Sequence, residues 1–280
     1  MEQIGEPGSR EAAEDPQRMA GDTRRFARPA SGFVLHWILP SCGALLVVAW
    51  LATQVNWSFV RELDFSVIYT YRVALLQGLL NTILITFFSL LLGLVLGFAF
   101  ACLAYVPLAP LRWFIAAYIE VLRDVPLVVA LFWIHFALPV VTGISTSAFE
   151  SGFIAMALQS SAYLADVARA GIQAIPKGQW DAADALGLSR LWKWFDIVLP
   201  QALKIIIPPL ANIALGYFKA SAVLALLSVG ELTTVAARIS NYTFKPIETF
   251  TVVGIVYLAL GYILSSMTFR LEKIFRTAQS

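Results

Sequence analysis

The chain has 280 residues, 59% apolar and 14% charged, with a net charge of +2; an ordinary soluble domain carries about 25% charged residues. A soluble fold this apolar could not cover its own surface, and basic residues scattered along the chain, with so small a net charge, exclude a nucleic-acid partner. Cys42 and Cys102 fall inside apolar runs and read as small buried hydrophobes, not as a disulfide framework or metal site.

Residues 1–32 come first, and mix five arginines with six acids. So little apolar content predicts a disordered tail, and the pattern is not that of a cleaved secretory signal, which has a short basic start and a short apolar core. Six apolar segments follow: Phe33–Thr53, Val73–Tyr105, Arg112–Val140, Ser151–Ile172, Ile205–Val229 and Phe250–Arg270. A helix needs about 20 apolar residues to cross a hydrocarbon core roughly 30 Å thick. The expected fold is therefore an all-α integral membrane protein with about six transmembrane helices. Pro107 and Pro110 separate the second segment from the third, and Gln159, Asp166 and Arg169 make the fourth the least apolar.

Lysine and arginine bias sets the expected orientation. With the amino terminus inside, thirteen basic residues fall in the inner tail and loops, against Arg61, Arg72, Arg238 and Lys245 outside. Both termini are thus expected to be cytoplasmic, in a multi-pass inner-membrane protein.

The longest polar connection, 173–204, then lies in the cytoplasm. Pro176 suits a helix start, and Trp180, Ala183 and Leu186 recur near one helical turn. Gly187 is a natural helix stop, and Ser189 can cap a second short helix running to Leu199 before Pro200. Two helices folded at a glycine make either a knob projecting from the membrane or a hairpin lying on the lipid surface.

At this loop the sequence resembles the permease subunits of binding-protein-dependent ABC importers, in the polar amino-acid branch (histidine, glutamine, glutamate, arginine and opines). The family's signature is Glu-Ala-Ala, three residues, Gly, nine residues, then Ile-x-Leu-Pro. Here Asp181-Ala182-Ala183, Gly187 and Ile197-Val198-Leu199-Pro200 stand at those spacings, with Asp for Glu. Ala162–Trp180 is similar to the branch's approach to that loop. Glu120–Val129 resembles its Arg-Gly-Thr-Pro-Leu segment, keeping Arg123 and Pro126, and Phe218–Leu232 resembles its Lys-Asp-Thr segment with Ala220 in place of the acid. The likeness covers residues 71–276, implying a five-helix permease core; residues 33–70 are an added amino-terminal span and periplasmic loop.

The resemblance implies partners. Two cytoplasmic ATPase subunits would supply energy, and a second permease, identical or related, would complete the pathway. A periplasmic or lipid-anchored binding protein would deliver the amino acid. No Gly-x4-Gly-Lys-Ser/Thr phosphate loop occurs in the chain, so ATP and magnesium are expected to act on the partner ATPase, with no cofactor on this chain and no catalysis by it. The helix carrying Trp180, Asp181, Ala182, Ala183 and Gly187 is expected to dock on the ATPase, burying Trp180 and Leu186 while Asp181 and Asp184 meet basic side chains.

Ionisable groups in the spans are functional candidates by default. Lys219 stands about 14 residues, or roughly 21 Å, into the fifth segment, with Ser221 two residues on; either could meet a substrate carboxylate, or Lys219 could pair with an acid and lock helices. Arg123, Glu120 and Asp124 share a depth with Asp166 and Arg169 and form either a gate or an interfacial cluster. His36 and His135 lack a second ligand at metal spacing and read as core or interface residues. Trp37, Trp50 and Trp57 suit an interfacial belt. An intramembrane enzyme lacks a nucleophile–base pair. An ion-coupled transporter or channel, often built from internal repeats, is the remaining alternative.

Overall fold

The computed structural model describes residues 30–277, and every regular element among them is helical. The expected disordered tail lies outside the described residues, apart from its last three positions, which already belong to the first helix. The chain divides into two units, residues 1–62 and 63–280.

The first unit holds α1 (Ala30–Gln54) and α2 (Trp57–Glu62). Asn56 starts α2: its Oδ1 accepts from the Ser58 hydroxyl at 2.5 Å and the Phe59 amide at 3.3 Å. Leu45, Leu46, Val48 and Trp50 are all more than half exposed, apolar surface of the kind that lipid covers. The side chains of His36 and Trp37 lie outside the described residues.

In the second unit, α3 (Ser66–Thr70) leads into α4 (Arg72–Leu103), followed by α5 (Ala109–Asp124), α6 (Leu127–Thr142) and α7 (Ala148–Gln173). Next come α8 (Lys177–Ala185), α9 (Arg190–Leu227), α10 (Leu232–Thr243) and α11 (Pro246–Thr277). By length and composition α4, α9 and α11 can each cross a membrane, and the number reaches five if two bent pairs, residues 40–70 and 109–142, each count as one span.

Two sequence expectations change. Arg112–Val140 is not one straight span: α5 and α6 meet at 106°. Val125 ahead of Pro126 is extended (φ −75°, ψ 125°), because the proline ring disfavours the helical region for its predecessor. Nor does a separate short helix end before Pro200. Arg190 to Leu227 is helical throughout, with a π-helical stretch at Lys193–Val198. Wider turns there accommodate Pro200, which has no N–H to give to the preceding turn.

α7 is the central helix. Its polar residues make it the least apolar of the expected spans, and fourteen of its residues are buried. It packs against α4 through small side chains. Ser89, Gly93, Gly97 and Ala101 recur every fourth residue of α4 and are all buried; Gly93 faces Ala157 and Ser160 of α7, Gly97 faces Ser161 and Ala165, and Ala101 packs with Ala168 and Ile172. A Cβ at Gly97 would lie 2.7 Å from the Ser161 carbonyl oxygen and 2.9 Å from the Ala165 amide nitrogen. Small residues at this spacing let helix backbones approach in lipid, where packing rather than hydrophobicity drives association. A Ser147–Glu150 capping box starts α7, satisfying otherwise orphaned amides.

At the α10 end, the turn before the helix is pinned to α4. The Asn81 amide donates to the Gly230 carbonyl at 3.0 Å, and the Leu232 amide to the Thr82 hydroxyl at 3.0 Å. Glu231 is fully buried, and its carboxylate accepts from the Thr233 and Thr234 amides, both at 2.7 Å, which places an anion at a helix N-terminus where the helix dipole favours it. Nearby, the Lys245 ammonium beside Asp64, helped by Ser66, holds the Asp64 carboxyl well below the usual carboxylate range.

Candidate functional site

Three groups of residues carry the candidate chemistry: the α8 knob, the ionic cluster at the α5–α6 bend, and a chamber between α9 and α11.

The knob is built as its sequence requires. α8 ends in a paired hydrogen-bond stop, the Leu188 amide donating to the Ala183 carbonyl at 3.1 Å and the Gly187 amide to Asp184 at 3.0 Å. Gly187 has φ +67°, left-handed backbone that a residue without Cβ adopts at no steric cost. Ala183 is fully buried, while Asp181, Ala182 and Leu186 are exposed. Trp180 corrects an expectation. It does not share an outward face with Leu186 but packs on the inner cluster of Ile172, Ile175, Val198 and Ala202, edge-on to Trp194 at 5.7 Å. Trp180 therefore anchors the knob, because the large indole buries more apolar area against the bundle end than in solvent. Asp184 is also committed within the chain, to Lys193. Leu199 is half-buried and Pro200 exposed where α9 leaves the knob.

At the bend, two of the residues that share a depth in the sequence, Arg123 and Asp166, form an ion pair. Arg123 donates to Asp166 at 2.8 Å, and Arg169 to the other carboxylate oxygen at 3.2 Å. These side chains are 36–43% exposed, which limits each pair to about 0–1 kcal/mol. Arg123 and Arg169 border a cavity of about 210 Å³ that Glu120 and Asp124 also line. Three residues given no role from the sequence hold the bend. The Gln159 amide donates to the Val125 carbonyl at 2.6 Å, and the buried Tyr217 hydroxyl donates to the Gln159 oxygen at 3.2 Å. Tyr163 donates to the Arg123 carbonyl at 3.0 Å. A broken helix frees backbone groups that must be satisfied inside the protein, so the mid-span glutamine, Gln159, was the available signal. With the backbone held this way, Asp166→Asn is expected to lower stability by no more than about 1 kcal/mol, read by thermal unfolding of the detergent-solubilised protein. A loss above about 3 kcal/mol would mean that the cluster is buried in the assembly.

The chamber, of about 650 Å³, lies between α9 and α11, with Lys219, Tyr257, Gly261, Tyr262 and Ser265 on its walls. Lys219 is exposed and makes no ion pair among the described residues, so no acid among these locks it. Ser221 does not join it: this side chain is fully buried and its hydroxyl donates to the Phe218 carbonyl at 2.6 Å, where α9 tightens to a 3-10 helix. His135 shares a hydrogen bond with the Ser151 hydroxyl at 2.9 Å, and among the described residues no cluster of possible metal ligands occurs.

Residues 91–277 match the family model of the binding-protein-dependent transport system inner membrane component. The chain is 34% identical to the probable amino-acid ABC transporter permease protein YckA of Bacillus subtilis, covering 80% of this chain and 97% of the relative. It is 33% identical to the arginine transport system permease protein ArtQ of the same organism, over 73% and 93%. Among solved structures, an amino acid ABC transporter with histidines superposes with a TM-score of 0.71 at 31% identity, covering 76% of this chain and 99% of that one. The MetNI methionine ABC transporter, at 20% identity and a TM-score of 0.64, shares the fold. The chain belongs to the family of binding-protein-dependent transport system inner membrane components.

Proposed function

We propose that the chain is the membrane-spanning subunit of an ATP-driven importer that carries a polar amino acid across the inner membrane, with both termini cytoplasmic. One observation carries the reading: the Asp181–Pro200 signature folds into a knob that is fixed inward by Trp180 and Ala183 and exposes Asp181, Ala182 and Leu186. A transmitted push needs a stiff lever with a free contact face, and that is what this geometry provides. The similar permeases whose names specify amino acids, glutamine, arginine and cystine support the substrate class.

In this reading two cytoplasmic ATPase subunits each receive a knob, and ATP with magnesium acts there. A second permease covers the face that carries Lys219, because an unpaired ammonium at this depth is costly against lipid. A periplasmic or lipid-anchored protein delivers the substrate. The path crosses six times: α1 is an addition to a five-helix core, and the polar α7 crosses inside the bundle where its neighbours satisfy it. The test is crosslinking in the purified complex. Ala182→Cys on the exposed face should crosslink to the ATPase, and Ala183→Cys, buried against the bundle, should not. Equal crosslinking at both positions, or at neither, contradicts the docking face.

A further inference from the structure

We infer that the groove between the end of α4 and the start of α9 binds an anionic phospholipid, with an acyl chain along its apolar walls and the phosphate on Arg190. The inference goes beyond the importer reading and needs from it only that α4 and α9 cross the membrane, as their length and composition allow. The groove has a volume of about 570 Å³. Phe98, Cys102 and Tyr105 reach it from α4 and the turn that follows, and Leu191, Trp194 and Phe195 from the first turns of α9. Leu191 is 70% exposed and Phe195 63%, while Trp194 is half-buried and lies edge-on to Tyr105 at 5.9 Å.

The groove changes character along its length. Phe98 lies inside a membrane-spanning helix, five residues before its end, and Leu199 lies nine residues into α9; Val106, Pro107 and Arg190 stand at the opposite end. Nine residues of helix make roughly 14 Å, about the depth of hydrocarbon in one leaflet of a 30 Å core. Apolar side chains therefore wall the deep end and an arginine marks the shallow end, which is the polarity of a phospholipid. A soluble partner docked on the knob does not reach the level of Phe98, whereas lipid surrounds it.

Charge selects among lipids. Arg190 is the only charged residue among those that line the groove, and it makes no ion pair among the described residues. Lys193, three residues on, is committed to Asp184, and Asp196 does not line the groove. A guanidinium holds a phosphate through two N–H groups at once. A zwitterionic headgroup offsets its phosphate with its own cation, and an anionic headgroup does not. One basic side chain at the membrane surface favours the anionic lipid by about five-fold.

The test is photolabelling of the permease–ATPase complex in nanodiscs. Phosphatidylglycerol or phosphatidylcholine carries a diazirine in its acyl chain, and adducts are mapped by peptide mass spectrometry. Labelling is measured relative to residues 45–51 of α1, whose apolar side chains are exposed. Phosphatidylglycerol should label residues 98–107 and 190–199 about five-fold more than phosphatidylcholine. Arg190→Gln should lower that labelling to the phosphatidylcholine level, and Arg190→Lys, which keeps the charge, should retain most of the preference. Equal labelling of the groove by the two lipids overturns the inference, because the groove would then hold only the lipid that surrounds any span. A preference that survives Arg190→Gln overturns it too, as does labelling that appears only when the ATPase is omitted, which would make the groove part of the ATPase seat. None of these outcomes touches the importer reading, which stands or falls on ATP-driven uptake.

Discussion

Replacing Gly187 by glutamate is expected to leave the protein in the membrane and abolish coupling, with transport falling by at least about ten-fold while ATP hydrolysis by the complex continues. Two physical effects act together. At φ +67° a residue with a Cβ is strained by about 1–2 kcal/mol, enough to unwind the stop that turns α8 into α9. The new carboxylate also enters a face that already presents Asp181 to its surroundings. Nothing lies within 4 Å of a Cβ at Gly187, so the loss cannot come from a clash in the bundle. Gly187→Asn separates the effects, because asparagine tolerates left-handed backbone and adds no charge. That variant should keep most transport. Normal uptake by Gly187→Glu would remove the knob from the coupling path.

The second large effect is at Gly97. Leucine here should prevent assembly of the bundle, with a loss of about 3 kcal/mol or more and little folded protein in a detergent-stability assay. The clash is with backbone atoms of α7, the Ser161 carbonyl and the Ala165 amide, which cannot rotate away as a side chain can. Gly254, with nothing within 4 Å of its Cβ, provides the contrast, and Gly254→Ala should leave stability within about 0.5 kcal/mol. Equal yields of Gly97→Leu and the unaltered protein would mean that α4 and α7 do not pack as closely as their small residues indicate.

Sequence features that act locally were legible. Pro176 and Gly187 mark helix boundaries of the knob because each answers a backbone requirement of its own, with Pro176 one residue before the helix; Ser189 stands at the start of α9, but its side chain caps no amide there. The spans were legible as apolar runs, but hydropathy cannot separate a straight helix from a bent one. The right angle at Val125–Pro126 therefore appears only once Gln159 and Tyr217 are in place to satisfy it. For the same reason the central helix was the least membrane-like in sequence. α7 faces protein, so it tolerates glutamine, serine, aspartate and arginine where a lipid-facing helix could not.

Side-chain direction was the least legible feature. Trp180 shares a helical stripe with Leu186, and period alone made them neighbours on a docking face. In the fold, Trp180 turns to Trp194 and the ends of α7 and α9, while Leu186 stays 75% exposed. Ser221 shows the same limit. Two residues from Lys219 is about 200° of helical rotation, so adjacency in sequence puts the two on opposite faces, one lining the chamber and the other buried. The pairing of Arg123 with Asp166 was accessible only as a shared depth, because the residues are 43 positions apart.

The most direct test of the account is uptake of a labelled amino acid into proteoliposomes containing the permease, its cognate ATPase and its binding protein. The account predicts uptake that requires ATP, stops when either the ATPase or the binding protein is omitted, and is indifferent to dissipation of ion gradients. Uptake by the permease alone, driven by an ion gradient without ATP, would contradict it.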